Sequence, residues 1–160
     1  MIATYAWDRL IIDPRPGPRS PVDFAALEPI GRHNFAFTAT TTPRPPSGST
    51  LPRLAAELPD QLVLLDPSNG ATGLRTQLQE LATINDVDGL TVIDVGGDAL
   101  AHGDEPSLRS PLADSLALAA CGGLDAPVTV LVAGAGLDGE LSEADVLALD
   151  VDAVESRRLV

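Results

Sequence analysis

Short aliphatic runs alternate repeatedly along this sequence with segments of helical periodicity. The three most apolar runs end at Asp66, Val95 and Ala133, and they consist mainly of Leu, Val, Ile and Ala. Such runs are typical of strands buried on both faces of a parallel sheet. The sequence therefore predicts an α/β fold, with a Rossmann-like parallel sheet flanked by helices. A length of 160 residues predicts one domain over residues 1–160.

The patterns also predict individual elements and their ends. Predicted strands cover Met1–Tyr5, Phe35–Thr40, Gln61–Asp66, Gly89–Val95 and Val128–Ala133. Predicted helices cover Leu51–Leu58, Gly73–Ile84, Leu112–Cys121 and Glu143–Leu149. A helical turn is expected within Phe24–Ile30. Thr50 is expected to cap the first helix, and Ser142 with Asp145 to form a capping box on the last.

Composition excludes several classes of partner. The net charge is -13, and all ten basic residues are arginines. Nucleic acids and anionic membrane surfaces both need basic patches, so neither is an expected partner. No apolar run approaches about 18 residues, so no membrane span is expected, and a cytoplasmic location is predicted. Cys121 is the only cysteine, which excludes an internal disulfide and a cysteine-based zinc site.

Three predicted strands are followed by loops of polar residues and glycines. The loops contain Asp66, Ser68, Asn69 and Gly70; Asp94, Gly96, Gly97 and Asp98; and Gly134, Gly136, Asp138, Gly139 and Glu140. Ligands of open parallel sheets bind beyond the carboxyl ends of the strands. We therefore expect the three loops to share one rim of the sheet and to form a ligand site there.

The loop after the strand ending at Val95 is the richest of the three. A carboxylate inside an apolar strand is costly to bury unless it is paired, so Asp94 is a candidate catalytic residue, together with Asp98 and His102. Oxygen ligands suit hard cations, and the predicted metal ligands, with Mg²⁺ as the candidate ion, are Asp98, Asp104 and Glu105.

The same region contains candidate ligand-binding residues. Glycines allow a close backbone approach, and an arginine beside a helix start can hold an anionic group. The predicted ligand-binding residues are Gly96, Gly97, Arg109, Ser110, Asp114, Asp138 and Glu140. The predicted ligand is a small polar or phosphorylated molecule.

Structural roles are open alternatives for these residues. Asp94 could cap a loop, Arg109 could pair with Asp104 or Asp114, and His102 could face solvent. The loop after Ala133 could be a tight turn, or it could recognise a metal or an amine. Its acidic residues Asp138 and Glu140 would repel the phosphates of a dinucleotide, so dinucleotide-dependent redox chemistry is disfavoured.

Several segments together resemble a known family. They include Asp94-Val-Gly-Gly-Asp98, His102-Gly-Asp-Glu105, Leu108-Arg-Ser-Pro-Leu-Ala-Asp114 and Asp138-Gly-Glu-Leu141. The pattern resembles an uncharacterised archaeal and actinobacterial family described only as a domain of unknown function. The resemblance implies a truncated member, with a sheet incomplete at both ends and without a glycine-rich turn.

Two kinds of function follow as hypotheses. The first is an α/β domain that binds a small anionic metabolite or nucleotide at the rim of the sheet, with a divalent cation as its candidate cofactor. The second is a non-catalytic regulatory or interaction domain. A strand edge left exposed by truncation would favour the second hypothesis and predicts a homodimer through that edge. Neither hypothesis specifies a reaction.

Overall fold

The computed structural model describes residues 1–152, and side chains are described through residue 149. The chain divides into two compact units, one of residues 1–87 and a second that begins at Asp88. Helices and strands are both present, which confirms the α/β class. The single domain over residues 1–160 stays a prediction, and its last eight residues lie outside the described part. No helix among the described residues is long and apolar enough to cross a membrane.

The first unit contains a four-stranded mixed sheet. Its elements are β1 (Ile2–Tyr5), β2 (Phe24–Ala25), β3 (Glu28–Ile30), β4 (Asn34–Ala36), β5 (Thr42–Pro43), α1 (Leu51–Glu57), β6 (Leu62–Leu65) and α2 (Gly70–Asn85). The strand order is β1-β6-β4-β3. β1 is parallel to β6, whereas β4 is antiparallel to both β6 and β3. β2 and β5 form a separate antiparallel pair.

The core of this unit forms around β6, whose four residues are all buried. Leu62 and Leu64 pack with Phe24 and Phe37, and the two phenylalanine rings meet edge to face at 5.1 Å between centroids. Such a T-shaped contact places the positive edge of one ring against the negative face of the other. The continuous aliphatic run therefore predicted the most buried strand correctly.

The segment from Phe24 to Ile30 differs from its prediction. It contains strands β2 and β3 and no α-helical turn, because its backbone pairs with β5 and β4. The strand predicted for Phe35–Thr40 ends early, at Ala36. There, the Thr41 hydroxyl accepts a hydrogen bond of 2.8 Å from the backbone N–H of Thr38, which favours a turn.

The start of α1 is stabilised in a way that was not predicted. Thr50 makes no side-chain cap, so that prediction was wrong. Instead the Ser49 hydroxyl accepts from the Leu51 N–H, and the Asp8 carboxylate accepts from the backbone N–H and the hydroxyl of Thr50. The carboxylate comes from 42 positions away in the chain, which local sequence patterns do not reveal.

A buried ion pair organises the proline-rich segment that follows β1. Arg19 and Asp13 have side chains only 4% and 1% exposed, and their charged groups lie 2.8 Å apart. Arg19 also donates to the carbonyls of Arg15, Pro16 and Gly17. The guanidinium thus holds a segment that proline prevents from joining a helix or a central strand.

The second unit is built on a parallel pair of strands. Its elements are β7 (Leu90–Val95), α3 (Leu112–Cys121), β8 (Val128–Ala133) and α4 (Glu143–Asp152). The register pairs Leu90 with Val128 and Val95 with Ala133, so the two strands end side by side. The pairings β1–β6 and β7–β8 are parallel as predicted, but β4 is antiparallel to β6 and the strands form separate sheets. A Rossmann-like arrangement is therefore not confirmed.

The termini of both helices in this unit follow local sequence signals. Gly122 forms the C-cap of α3, and its N–H donates to the Leu118 carbonyl. At α4, Ser142 and Asp145 bond reciprocally, with the Ser142 N–H donating to the Asp145 carboxylate and the Asp145 N–H donating to the Ser142 hydroxyl. The predicted capping box is confirmed.

Candidate functional site

The loops that follow β7 and β8 meet at the carboxyl ends of these strands. The Gly96 N–H donates to the Ala133 carbonyl at 3.1 Å, and the Gly136 N–H donates to the Gly96 carbonyl at 3.1 Å. These two bonds extend the parallel pairing into the loops. The predicted convergence of these two loops is therefore present.

Gly96 allows a carboxylate to approach the backbone of this turn. Its φ is +126°, and a Cβ at this position would lie 2.5 Å from the Asp138 carboxyl carbon. A side chain here would collide with Asp138 and would also strain the backbone. The glycine that sequence analysis assigned to ligand binding thus makes room for an acidic side chain.

Asp94 lies at the base of the site. It is 5% exposed, and its Oδ2 accepts a hydrogen bond of 3.1 Å from the Ala99 N–H. Burial raises the pKa of Asp94, and the negative charge of Asp138 raises it further, against the hydrogen bonds from Ala99 and Gly97. Asp94 therefore caps the turn that contains Asp98, which matches the structural alternative considered for it.

Three acidic side chains converge at the top of this turn. Ligand oxygens of Asp98, Asp138 and Glu140 all lie within 4.8 Å of one another. The Asp138 Oδ1 accepts from the Glu140 N–H at 3.1 Å, which orders the loop after β8. The Oδ1 atom of Asp98 is enclosed and has no hydrogen-bond partner, an arrangement that costs free energy unless a further group satisfies it.

The three acids belong to a larger group that we name the acidic cluster: Asp94, Asp98, Asp114, Asp138 and Glu140. Burial raises the pKa of Asp98 to about 6, and the charges of the other four members contribute in the same direction. Burial and the charge of Asp94 likewise raise the pKa of Asp114. Among the described side chains, no basic group forms an ion pair with the cluster. The electrostatics therefore favour a proton or a cation.

The other predicted metal ligands and His102 lie outside this grouping. Asp104 and His102 are exposed. The Glu105 carboxylate accepts from the backbone N–H groups of His102 and Gly103 at 2.7 and 2.9 Å, and these bonds hold its pKa below the usual value. Asp98 is thus grouped with Asp138 and Glu140 rather than with Asp104 and Glu105.

Arg109 and Ser110 border the acidic cluster. The Arg109 N–H donates to Glu140 Oε2 at 2.8 Å, and its side chain is exposed. In the described part of the chain, Arg109 forms no ion pair with Asp104 or Asp114. Ser110 accepts from the Leu112 N–H at 3.3 Å, at the start of α3. The guanidinium of Arg109 is therefore available to a ligand.

The loop after β6 follows a strand of a different sheet. β6 belongs to the four-stranded sheet, whereas β7 and β8 form a sheet of their own. The expectation that the three strands belong to one sheet is therefore wrong, and two of the three loops follow the β7–β8 pair. Asp66 instead accepts a hydrogen bond of 3.0 Å from the Ser68 N–H, and Gln77 binds the backbone N–H and carbonyl of Asp66. These contacts are those of a helix start.

Every member of the acidic cluster is among the candidate residues predicted from the sequence, but Asp138 and Glu140 were not predicted as metal ligands together with Asp98. The grouping could have been predicted from the position of the two loops, since each comes at the end of a predicted strand. Each follows an aliphatic run directly, and parallel neighbours end at the same edge. Residues in adjacent loops of one edge are better candidates for a common ligand than residues farther along one loop.

Comparison with known proteins identifies a family but no activity. A family model described as Protein of unknown function (DUF1152) matches residues 1–157. No curated protein and no solved structure matches the chain.

Proposed function

The chain belongs to the family described as Protein of unknown function (DUF1152), and we propose that it binds a divalent cation and, through that cation, a small anionic ligand. The cation would be held by Asp98, Asp138 and Glu140. The observation that carries the proposal is the convergence of their oxygens within 4.8 Å of one another, without a basic partner among the described residues.

The chemistry of the donor set supports a hard cation. Mg²⁺ and Ca²⁺ prefer oxygen ligands, carboxylates among them, and take about six to eight oxygens in all at about 2.0–2.6 Å. The oxygen spacing permits three carboxylates to reach one ion after small rotations. The enclosed, unpartnered Oδ1 of Asp98 is an acceptor that a cation would satisfy. A cation would also offset the repulsion that raises the pKa of Asp98.

The number of ligands supports a second, anionic component. Three carboxylates fill only about half of the coordination positions of such a cation. The remaining positions suit water or a ligand oxygen, as in sites where a metal binds a phosphate group. The exposed guanidinium of Arg109, whose backbone is bonded to Glu140, could hold the same anion with two hydrogen bonds.

Thermal unfolding in the presence of Mg²⁺, Mn²⁺ or Ca²⁺ tests the cation site. A cation at about 100 times its dissociation constant should stabilise the native state by about 2.7 kcal/mol. Asp138→Asn should lose this gain. Asp104→Asn is the matched control, because Asp104 is an exposed acid of the same unit outside the cluster, and it should retain the gain.

The outcomes separate the candidate ligand sets. If Asp104→Asn loses the stabilisation by the cation and Asp138→Asn keeps it, the cation is bound by the residues first predicted from the sequence, Asp98, Asp104 and Glu105. Equal gains in both variants and the wild-type chain would reject a specific site. Nucleotides and sugar phosphates, added with the stabilising cation, then test the anion, and Arg109→Ala should weaken any further gain.

A further inference from the structure

The segment of residues 101–111, which we name the strap, borders the acidic cluster at both of its ends. It follows the 3₁₀ turn Asp98–Leu100 and leads into the start of α3, which contains Asp114. Every residue of the strap is exposed or half-buried. Segments with few buried contacts open at a small fraction of the free energy of global unfolding.

The strap is ordered mainly by its own hydrogen bonds. The Glu105 carboxylate accepts from the His102 and Gly103 amides, and the Leu108 N–H donates to the Glu105 carbonyl at 3.2 Å. One hydrogen bond among the described residues ties the strap to the loop after β8, and it joins the Arg109 amide to Glu140 across 31 positions. The strap is thus a short ordered segment with a single long-range hydrogen bond to the loop after β8 among the described residues.

We infer that the Arg109–Glu140 bond is a latch, and that opening and closing of the strap at this bond is coupled to the position of Glu140 in the acidic cluster. A carboxylate has two oxygens, so Glu140 can accept the Arg109 amide at Oε2 while its other oxygen binds a cation. When this bond is formed, it positions the Glu140 carboxylate to bind a cation together with Asp98. A bound cation in turn positions the same carboxylate to accept the hydrogen bond from the Arg109 N–H. Coupling of this kind is reciprocal, so cation binding stabilises the closed strap. This second half of the inference rests on the proposed function.

Hydrogen exchange of the strap amides tests the latch without any ligand. Arg109→Pro removes the donating N–H, whereas Arg109→Ala keeps it and removes only the side chain. His102, Gly103 and Leu108 amides should exchange about tenfold faster in Arg109→Pro, the effect of losing one hydrogen bond to a charged group. Their exchange in Arg109→Ala should equal that of the wild-type chain.

A second pair of variants tests the same bond from the acceptor side, in case Arg109→Pro does not fold. Glu140→Leu removes the acceptor outside the strap and should accelerate the same amides, whereas Glu140→Gln keeps an acceptor oxygen and should not. Equal exchange in all four variants, or equal acceleration in both Arg109 variants, would overturn the latch.

Mn²⁺ then tests the coupling. It should slow strap exchange at least threefold in the wild-type chain and in Arg109→Ala, but not in Glu140→Gln. If calorimetry detects no binding of Mn²⁺, the proposed function is rejected. The conclusion about the latch is unaffected, because it is tested without any ligand. Binding without slowed exchange would reject the coupling alone.

Discussion

Neutralising Asp98 should stabilise the protein in the absence of cations while abolishing its response to them. Asp98→Asn preserves the shape of the side chain and removes the charge whose burial, and then whose repulsion by the other acids, raise the Asp98 pKa from 3.8 to about 6. Each unit of pKa corresponds to about 1.4 kcal/mol. The ionised carboxylate therefore costs at most about 3 kcal/mol, and about 1–2 kcal/mol after allowance for screening by solvent.

The sign of the pH dependence follows from proton linkage. A carboxyl with a raised pKa in the folded state binds more protons when folded than when unfolded, between pH about 4 and about 6. The contribution of Asp98 to stability is therefore full below pH about 4, declines as the pH rises through 6, and stays low above it. The advantage of Asp98→Asn should be absent at pH 4 and complete above about pH 7.

Urea unfolding at several pH values, with and without Mn²⁺, measures both effects. Asp104→Asn is the control, and as a change at an exposed position it should alter stability by less than about 0.5 kcal/mol. If Asp98→Asn is no more stable than the wild-type chain at pH 7.5 without metal, the ionised Asp98 carboxylate does not destabilise the folded state. An advantage of the same size at pH 4.5 would show that it does not arise from the charge of Asp98. Retention of the Mn²⁺ response in Asp98→Asn would remove Asp98 from the proposed ligand set.

Three further changes test other parts of the structure. Gly96→Ala should destabilise the protein by about 1–3 kcal/mol in urea unfolding and weaken cation binding, because its Cβ would displace the Asp138 carboxylate; an unchanged midpoint would contradict the close approach. Arg19→Ala should cost about 3–5 kcal/mol at pH 7, because it leaves the Asp13 carboxylate buried without a partner; a loss below 1 kcal/mol would refute that role. If the apolar side chains exposed on β7 mediate a homodimer, light scattering should detect it, and Ile93→Lys, at a position 62% exposed, should abolish it; a wild-type monomer at high concentration would reject the dimer.

Local sequence signals predicted much of the secondary structure. The aliphatic run at Leu62–Leu65 is a buried strand, the periodic run after Gly73 lies within α2, and the Ser142–Asp145 box begins α4. These features depend on neighbours within a few positions, where periodicity and capping chemistry act directly. The composition of the acidic cluster was also visible, because each member is an acid in or just after an aliphatic run, or beside the start of a helix.

The assembly of the cluster was decided by tertiary structure. The register of β7 on β8 places Gly96 against Asp138, and this pairing brings Asp98 to Asp138 and Glu140 while leaving Asp104 and Glu105 aside. Register, desolvation and charge repulsion are sums over residues far apart in the chain, so no local pattern encodes them. The acids themselves can be read from the sequence. Which of them lie close enough to raise one another's pKa depends on the tertiary structure.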